Sequence, residues 1–364
     1  MQTGGLFPVY PGDRPLLCKA GESKTTSKER EKNLAKKRAK DGSTVNSSLI
    51  RRPIQRWFPL FILPTFVCFF IGFLWPFLEG IYLSFCKFNI AKDAEWVGAG
   101  NYEKIFASLK AVDFGAIFKE QGLWACVTKA FESNDFLNAF KNTFLFAIVS
   151  ILLINVVAFA IAYALTRKMR GANALRTVFF MPNLIGGLVL GYIWSMIFEG
   201  ILKATGLPSL LLNSTYGFWG LVILVAWQQI GYMMIIYISG LQSVPEDMLE
   251  AAKIDGANGF QTLFKVIIPN VMPSITICTF LTLTNSFKLF DQNMALTGGL
   301  PTKMLPTGQP VNTTELLALN IKSTYDRNAS FHGQAQAKAV IFFVLVAILA
   351  ITQLRATRKK EVQQ

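Results

Sequence analysis

A chain of 364 residues with 52% hydrophobic and only 16% charged residues, and a mean hydropathy of +0.39, is too apolar for an ordinary soluble enzyme. Its formal net charge of +14 gathers beside apolar blocks, which is topological bias at a membrane and not a nucleic-acid footprint. One histidine, five cysteines without CxxC or metal-ligand spacing, and no GxxxxGK[ST] stretch leave no basis for a His-based metal site, a catalytic triad or a phosphate-cradling loop.

In chain order, residues 1–56 form a basic, Ser/Lys-rich tail predicted to be disordered, with a short helix through KEREKNLAKKRAK. Anchoring and topology are its expected role, an arm for anionic lipid or nucleotide being the alternative. No cleavable signal peptide is expected, because the first apolar block is a full span. Residues 57–355 then hold six apolar blocks, at 58–85, 137–165, 177–198, 217–241, 270–296 and 337–354. Each has about the 18 residues or more that a helix needs to cross about 30 Å of hydrocarbon. Lipid offers backbone amides no partner, so these blocks must be helices. The expectation is an all-α integral membrane protein of about six transmembrane helices.

Lys and Arg set the orientation. Arg51, Arg52 and Arg56 precede the first span, Arg167, Lys168, Arg170 and Arg176 follow the second, and the tail 356–364 is basic. The alternate connections are mixed (89–135) or nearly uncharged (199–216, with Lys203 alone). Both termini are therefore expected inside, and so is the polar connection between the fourth and fifth spans.

That connection reads SVPEDMLEAAKIDGANGFQTLFK. Ser243 followed by Glu246 is a capping-box signature, with Pro245 and Asp247 favouring the first turn. Gly256 is the natural stop, able to turn left-handed. A second helix should place Phe260, Leu263, Phe264 and Ile267 on one face, until Pro269 marks entry to the fifth span. An amphipathic linker lying in the headgroup region is one reading. Against it, small Ala251 and Ala252 beside Glu250, and an acidic polar face of Glu246, Asp247, Glu250 and Asp255 against Lys253, suit a protein groove better than anionic lipid.

The run EAAKIDGANGFQTLFKVIIPNVMP resembles the cytoplasmic EAA loop of ABC importer permeases, in the form with EAA, DGA, then Q, F and P found in the maltose-type carbohydrate-uptake family. LRTVFFMPNLIGGLVLGYIW and NSFKLFDQNMALTGGLP resemble that family's third span and its segment leaving the fifth, whereas FEGILKATGLPS lacks the Asn-rich signature common after the third span. The basic tail and long first external loop resemble the first permease of a heterodimeric pair. The resemblance implies an ABC importer permease fold, multi-pass in a bacterial cell (inner or plasma) membrane, with a coupling loop at 242–269. Its coupling residues would be Glu250, Ala251, Ala252, Asp255, Gly256, Ala257 and Gln261. Glu250 would meet a basic group of a cytoplasmic ATPase dimer, Ala251 and Ala252 would allow close packing, and Gly256 would make the turn. The chain itself would be no enzyme and bind no cofactor, ATP being used by the partner. A second permease subunit, an extracytoplasmic solute-binding protein, membrane lipid and a sugar substrate complete the implied partners; nucleic acid is not among them.

Polar side chains inside spans are costly and mark a cavity or a partner helix. They cluster here as Trp227, Gln228, Gln229 and Tyr232 in the fourth span and Thr282, Asn285 and Lys288 in the fifth. Amides and hydroxyls beside aromatic faces suit a neutral polyol, and the family's sugar-contacting positions support Tyr232 and Asn285. Each group can equally serve as a bond between helices. Lys288 and Asp291, three apart, are expected to neutralise each other. A secondary transporter or channel would explain the hydropathy but not the capped acidic insert, and an integral-membrane enzyme lacks a catalytic constellation.

Overall fold

Among the described residues, five helices are long and apolar enough to cross a membrane, or six if a bent pair counts as one span. The computed structural model describes residues 58, 60–167, 169–305, 308 and 310–358, so the basic tail 1–56, Lys168 and 359–364 lie outside the described residues. The chain divides into two units, Met1–Leu74 and Trp75–Gln364. The boundary falls within the first span, α1 (Leu60–Leu83). In the first unit, the residues of α1 are almost all exposed and apolar, with Phe69 stacked on Phe73 at 5.2 Å, as expected of a helix surrounded by lipid tails.

In the second unit the chain continues through a ribbon of β1 (Cys86–Lys87) and β2 (Glu95–Trp96) to α2 (Gly100–Phe106) and α3 (Phe114–Ser133). Three spans follow as α4 (Asp135–Thr166), α6 (Gly187–Ala204) and α7 (Ser214–Gln242), with the short α5 (Ala172–Phe180) between the first two. The insert forms α8 (Glu246–Ile254) and α9 (Gly259–Asn270), and α10 (Met272–Phe287) returns through the bundle. Beyond it lie α11 (Asp291–Leu296), a ribbon of β3 (Thr302–Met304) and β4 (Pro310–Asn312), α12 (Leu317–Arg327) and the last span, α13 (His332–Arg358).

The core is built where α4 lies along α7. Ile154, Ala158 and Ala162 meet Met233, Met234 and Tyr237, with Cys278 of α10 closing the cluster. Small residues let backbones approach: a Cβ on Gly231 would stand 1.8 Å from the Phe179 carbonyl oxygen, so nothing larger than glycine fits between α7 and α5. Tyr237 donates to Asn155 Oδ1 at 2.7 Å, and Asn155 reaches Thr282 Oγ1 at 3.4 Å, joining three helices with one polar chain.

Two spans differ from expectation. The block 177–198 is not one helix: Pro182 opens a 3-10 turn at Met181–Leu184, Ile185 is extended, and the spanning helix starts only at Gly187. A proline lacks the N–H that would carry α5 onward, so the apolar run splits without losing hydropathy. The block 270–296 likewise ends as a helix at Phe287, and a three-residue break precedes α11. Apolarity there belongs to packing of α11 against α6 rather than to one continuous span.

Candidate functional site

At the insert, helix ends and turns settle which side chains are free. Gly256 sits at φ 74, the left-handed turn expected of it, after Asp255 closes α8 with its N–H on the Ala251 and Lys253 carbonyls. The expected Ser243–Glu246 capping box is absent. Ser243 Oγ donates to the Gly240 carbonyl at 2.7 Å, finishing α7, and Pro245 is the N-cap of α8 without a side-chain bond. With only two residues between Ser243 and α8, one hydroxyl faces two helix ends, and it bonds to the carbonyl already three residues behind it. The capping box stands one helix later. Asn258 Oδ1 accepts from Gln261 N at 2.8 Å and Gln261 Oε1 accepts from Asn258 N at 2.8 Å, so Gln261 has a local role that starts α9.

The apolar stripe of α9 also divides. Leu263 and Ile267 turn inward, whereas Phe260 and Phe264 stand 77% and 62% exposed. A π-helical turn at Leu263–Ile267 shifts the helical phase, so the 3.6-residue spacing read from the sequence no longer holds all four on one side. Met248, Ala251 and Ile254 of α8 are exposed too, Ile254 at 85%, and only Ala252 is buried. Glu250, Ala251, Asp255 and Gly256 are therefore exposed, Ala257 is half-buried, and an apolar ridge runs beside Glu250. The second helix then bends 70° at Val271 into α10, so the insert is covalently continuous with two spans.

In the bundle the seven expected path residues separate by helical phase. A cavity of about 250 Å³ brings together Gln229, Asn285 and Lys288 with Asp291 and Gln292. Gln229 Oε1 is buried and has no partner among the described residues, and Gln229 lines the cavity wall. Two residues along a helix turn by about 200°, so Trp227 faces away from Gln229. It packs edge-on to Trp194 at 5.4 Å and remains exposed. Tyr232, about 60° from Gln229 and one turn further, is on the exposed flank but not on this cavity's wall. Gln228 accepts from Gln292 Nε2 at 2.7 Å and donates to the Ile185 carbonyl at 3.1 Å, bonding α7 to the broken segments on either side. Thr282 is fully buried against α4. For Gln228 and Thr282, bonding between helices is what the geometry gives. The expected Lys288–Asp291 pair is also absent: the helix ends at Phe287, so the two residues lie across a non-helical break and their charged groups stay more than 4.0 Å apart.

Sequence reasoning missed a buried polar network that joins the first residue of α4 to α12 and α13. Lys338 is 5% exposed and donates to Asp135 Oδ2 at 3.0 Å, Asn320 Oδ1 at 2.8 Å and Thr324 Oγ1 at 2.7 Å, so each ammonium proton has an acceptor. Asn320 donates in turn to Asp135 Oδ1 and Glu315 Oε2, both at 2.9 Å. Burial pushes the Glu315 carboxyl above the usual carboxylate range; donation from Ser323 and Asn320 works against that shift, and the charge of Asp135 adds to it. The legible signal was a lysine near the start of an apolar span, which needs a named partner.

Comparison with known proteins places the second half of the chain first. Residues 170–360 match the model of the family described as binding-protein-dependent transport system inner membrane component. The chain is 39% identical over 314 residues to a probable starch degradation products transport system permease protein of Thermoanaerobacterium thermosulfurigenes, covering 84% of this chain and 96% of that one. It is 28% identical to a multiple sugar-binding transport system permease protein of Streptococcus mutans, over 86% and 99% of the two chains. Among solved structures, a bacterial alginate ABC transporter in complex with a periplasmic protein bound to alginate pentasaccharide superposes with a TM-score of 0.60 at 18% identity, over 85% and 96% of the chains.

Proposed function

The chain belongs to the family of binding-protein-dependent transport system inner membrane components, a multi-pass membrane permease subunit of an ABC importer, and from that premise we propose that it imports a sugar or oligosaccharide. The transport names of its relatives, for starch degradation products and for multiple sugars, support the solute class. In this reading ATP is hydrolysed by a separate cytoplasmic dimer, no cofactor is held by the chain, a second permease completes the pathway, and an extracytoplasmic solute-binding protein delivers the sugar. The bias of Lys and Arg supports a cytoplasmic insert.

The observation that carries the coupling role is the exposure of Met248 and Ile254 on α8, the helix that carries Glu250, and of Phe260 and Phe264 on α9. Large apolar side chains at such exposure, held on a capped two-helix element, belong against a partner. Glu250 supplies a fixed carboxylate for a basic group of the ATPase, and Gly256 keeps the two helices at one angle. Because α9 bends directly into α10, closure of the ATPase dimer moves the insert and the fifth span together, a rigid-body route to alternating access. On the solute path, Gln229 and Asn285 offer amide groups to sugar hydroxyls, Lys288 stands at the same cavity, and Tyr232 presents a ring face further along α7.

The test is uptake in proteoliposomes containing both permeases, the ATPase and the binding protein, with a maltooligosaccharide as solute. Uptake should require ATP and binding protein together, and Glu250→Gln should lower it tenfold or more, as loss of a charge-assisted bond predicts, with insertion unchanged. Equal uptake by this chain without ATPase and binding protein would return the protein to the class of secondary transporters or channels.

A further inference from the structure

A second cavity, of about 580 Å³, lies between α3, the starts of α4 and α7, and the β3–β4 ribbon. Ser214 and Thr215 on its wall begin α7, whereas the coupling helices follow the other end of that helix at Gln242. At about 1.5 Å per residue, the two ends stand about 40 Å apart. The cavity therefore opens at the end of the bundle opposite the coupling loop.

Its chemistry differs from that of the path. Ten of the lining residues are polar or charged and five apolar. Two of the amides are engaged: Asn142 donates to the Thr313 carbonyl at 2.7 Å and Asn138 to the Asn312 carbonyl at 3.4 Å, tying the ribbon down. The charged groups are not. Lys129, Lys141 and Lys303 face the cavity with Glu132, and none of the four has an ion pair within 4.0 Å among the described residues. Three positive groups against one negative leave a surplus of +2 on the wall. Ser133, 1% exposed, lines the same wall with a hydroxyl that has no partner among the described residues. Unpaired ammonium groups and an idle hydroxyl donor recognise carboxylates.

The rim points to a protein as the carrier of those carboxylates. Leu123 and Trp124 of α3 are 70% and 81% exposed, and Trp124 borders an adjoining groove that shares Lys129 and Glu132. An exposed aromatic beside cationic groups, able to be buried by a partner, is the composition of a recognition surface, and the polar wall offers no channel for an acyl chain. We propose that this cavity seats an acidic protrusion of the extracytoplasmic solute-binding protein. The proposal rests on the importer reading, which supplies the partner, and adds where and by what charge it docks. Lysines at such a rim steer encounter, so the association rate should fall steeply with salt.

The experiment uses the complete complex in nanodiscs and reads binding-protein affinity together with binding-protein-stimulated ATP hydrolysis. In the variant carrying Lys129→Gln, Lys141→Gln and Lys303→Gln, the half-saturating binding-protein concentration should rise tenfold or more. Its salt dependence should flatten, while hydrolysis without binding protein stays at the wild-type rate. Lys303→Gln alone, on an exposed ribbon residue, should give a smaller rise of the same kind and guards against misfolding of the triple variant. Unchanged half-saturation in both variants overturns the seat and leaves the importer reading standing. A wild-type complex indifferent to binding protein overturns that reading, and the seat with it. Lysine-dependent binding of succinate or inorganic phosphate to the permease alone, or a dependence on phosphatidylglycerol content without one on binding protein, would replace the seat by a small-anion or lipid site.

Discussion

The insert at 242–269 and the polar network around Lys338 use the same residue types in opposite ways. In the network Lys338, Asn320 and Glu315 are buried, Asp135 is partly buried, and each is bonded to another member. In the insert Glu246, Glu250 and Lys253 are exposed, make no ion pair within 4.0 Å among the described residues, and share α8 with exposed Ile254. Charges matched within the chain fix its own architecture, whereas the charges and apolar surface left open together on the insert are, in the proposed reading, where another chain completes it.

That contrast can be broken by making the same substitution in both places. Lys338→Met leaves the Asp135 carboxylate without its buried counter-charge and should cost about 3–5 kcal/mol, seen as a large fall in the unfolding temperature of detergent-solubilised protein. Lys253→Met should stay within about 0.5 kcal/mol of wild type. Comparable losses at both positions would remove the distinction.

Within the insert, Gly256→Val forces a branched side chain into the left-handed region, at a cost of about 1–2 kcal/mol that falls locally on the turn. Sugar uptake should drop several-fold or more while membrane insertion is unchanged. Gln261→Ala removes the returning half of the capping box and should cost about 1 kcal/mol, read as faster amide exchange over 258–262 and a smaller loss of uptake.

The smallest effect is a pH dependence. A carboxyl whose folded value lies above its ordinary value binds its proton more tightly in the folded state. The folded protein therefore loses stability as pH rises from about 4.3, the ordinary glutamate value, through the raised value of Glu315. Unfolding temperature should fall over that window in wild type, and Glu315→Gln should flatten the slope.

The sequence carried the solvent, five spans, the turn at Gly256 and the amides that meet at the small cavity, because hydropathy, glycine conformation and cost of polar groups in lipid are local properties. It misplaced whatever depended on helical phase after a break. Pro182 split the third block, a π-turn turned Phe260 and Phe264 away from Leu263 and Ile267, and the non-helical stretch after Phe287 removed the helical spacing of Lys288 and Asp291. The Asp135–Lys338 bond joins residues 203 apart, and no periodicity reports such a pairing. Likewise Gln292, which bonds Gln228 across 64 residues, looked like part of an apolar run until α11 was seen as a separate helix.

In the proposed reading, the open face of α8 and α9 is completed by the ATPase. Amide exchange of the reconstituted permease, compared with and without the ATPase dimer, tests it directly. The account predicts new protection concentrated at 246–264, with the network around Lys338 equally protected in both states. Exchange at 246–264 unaltered by the ATPase, with protection appearing elsewhere, would contradict it.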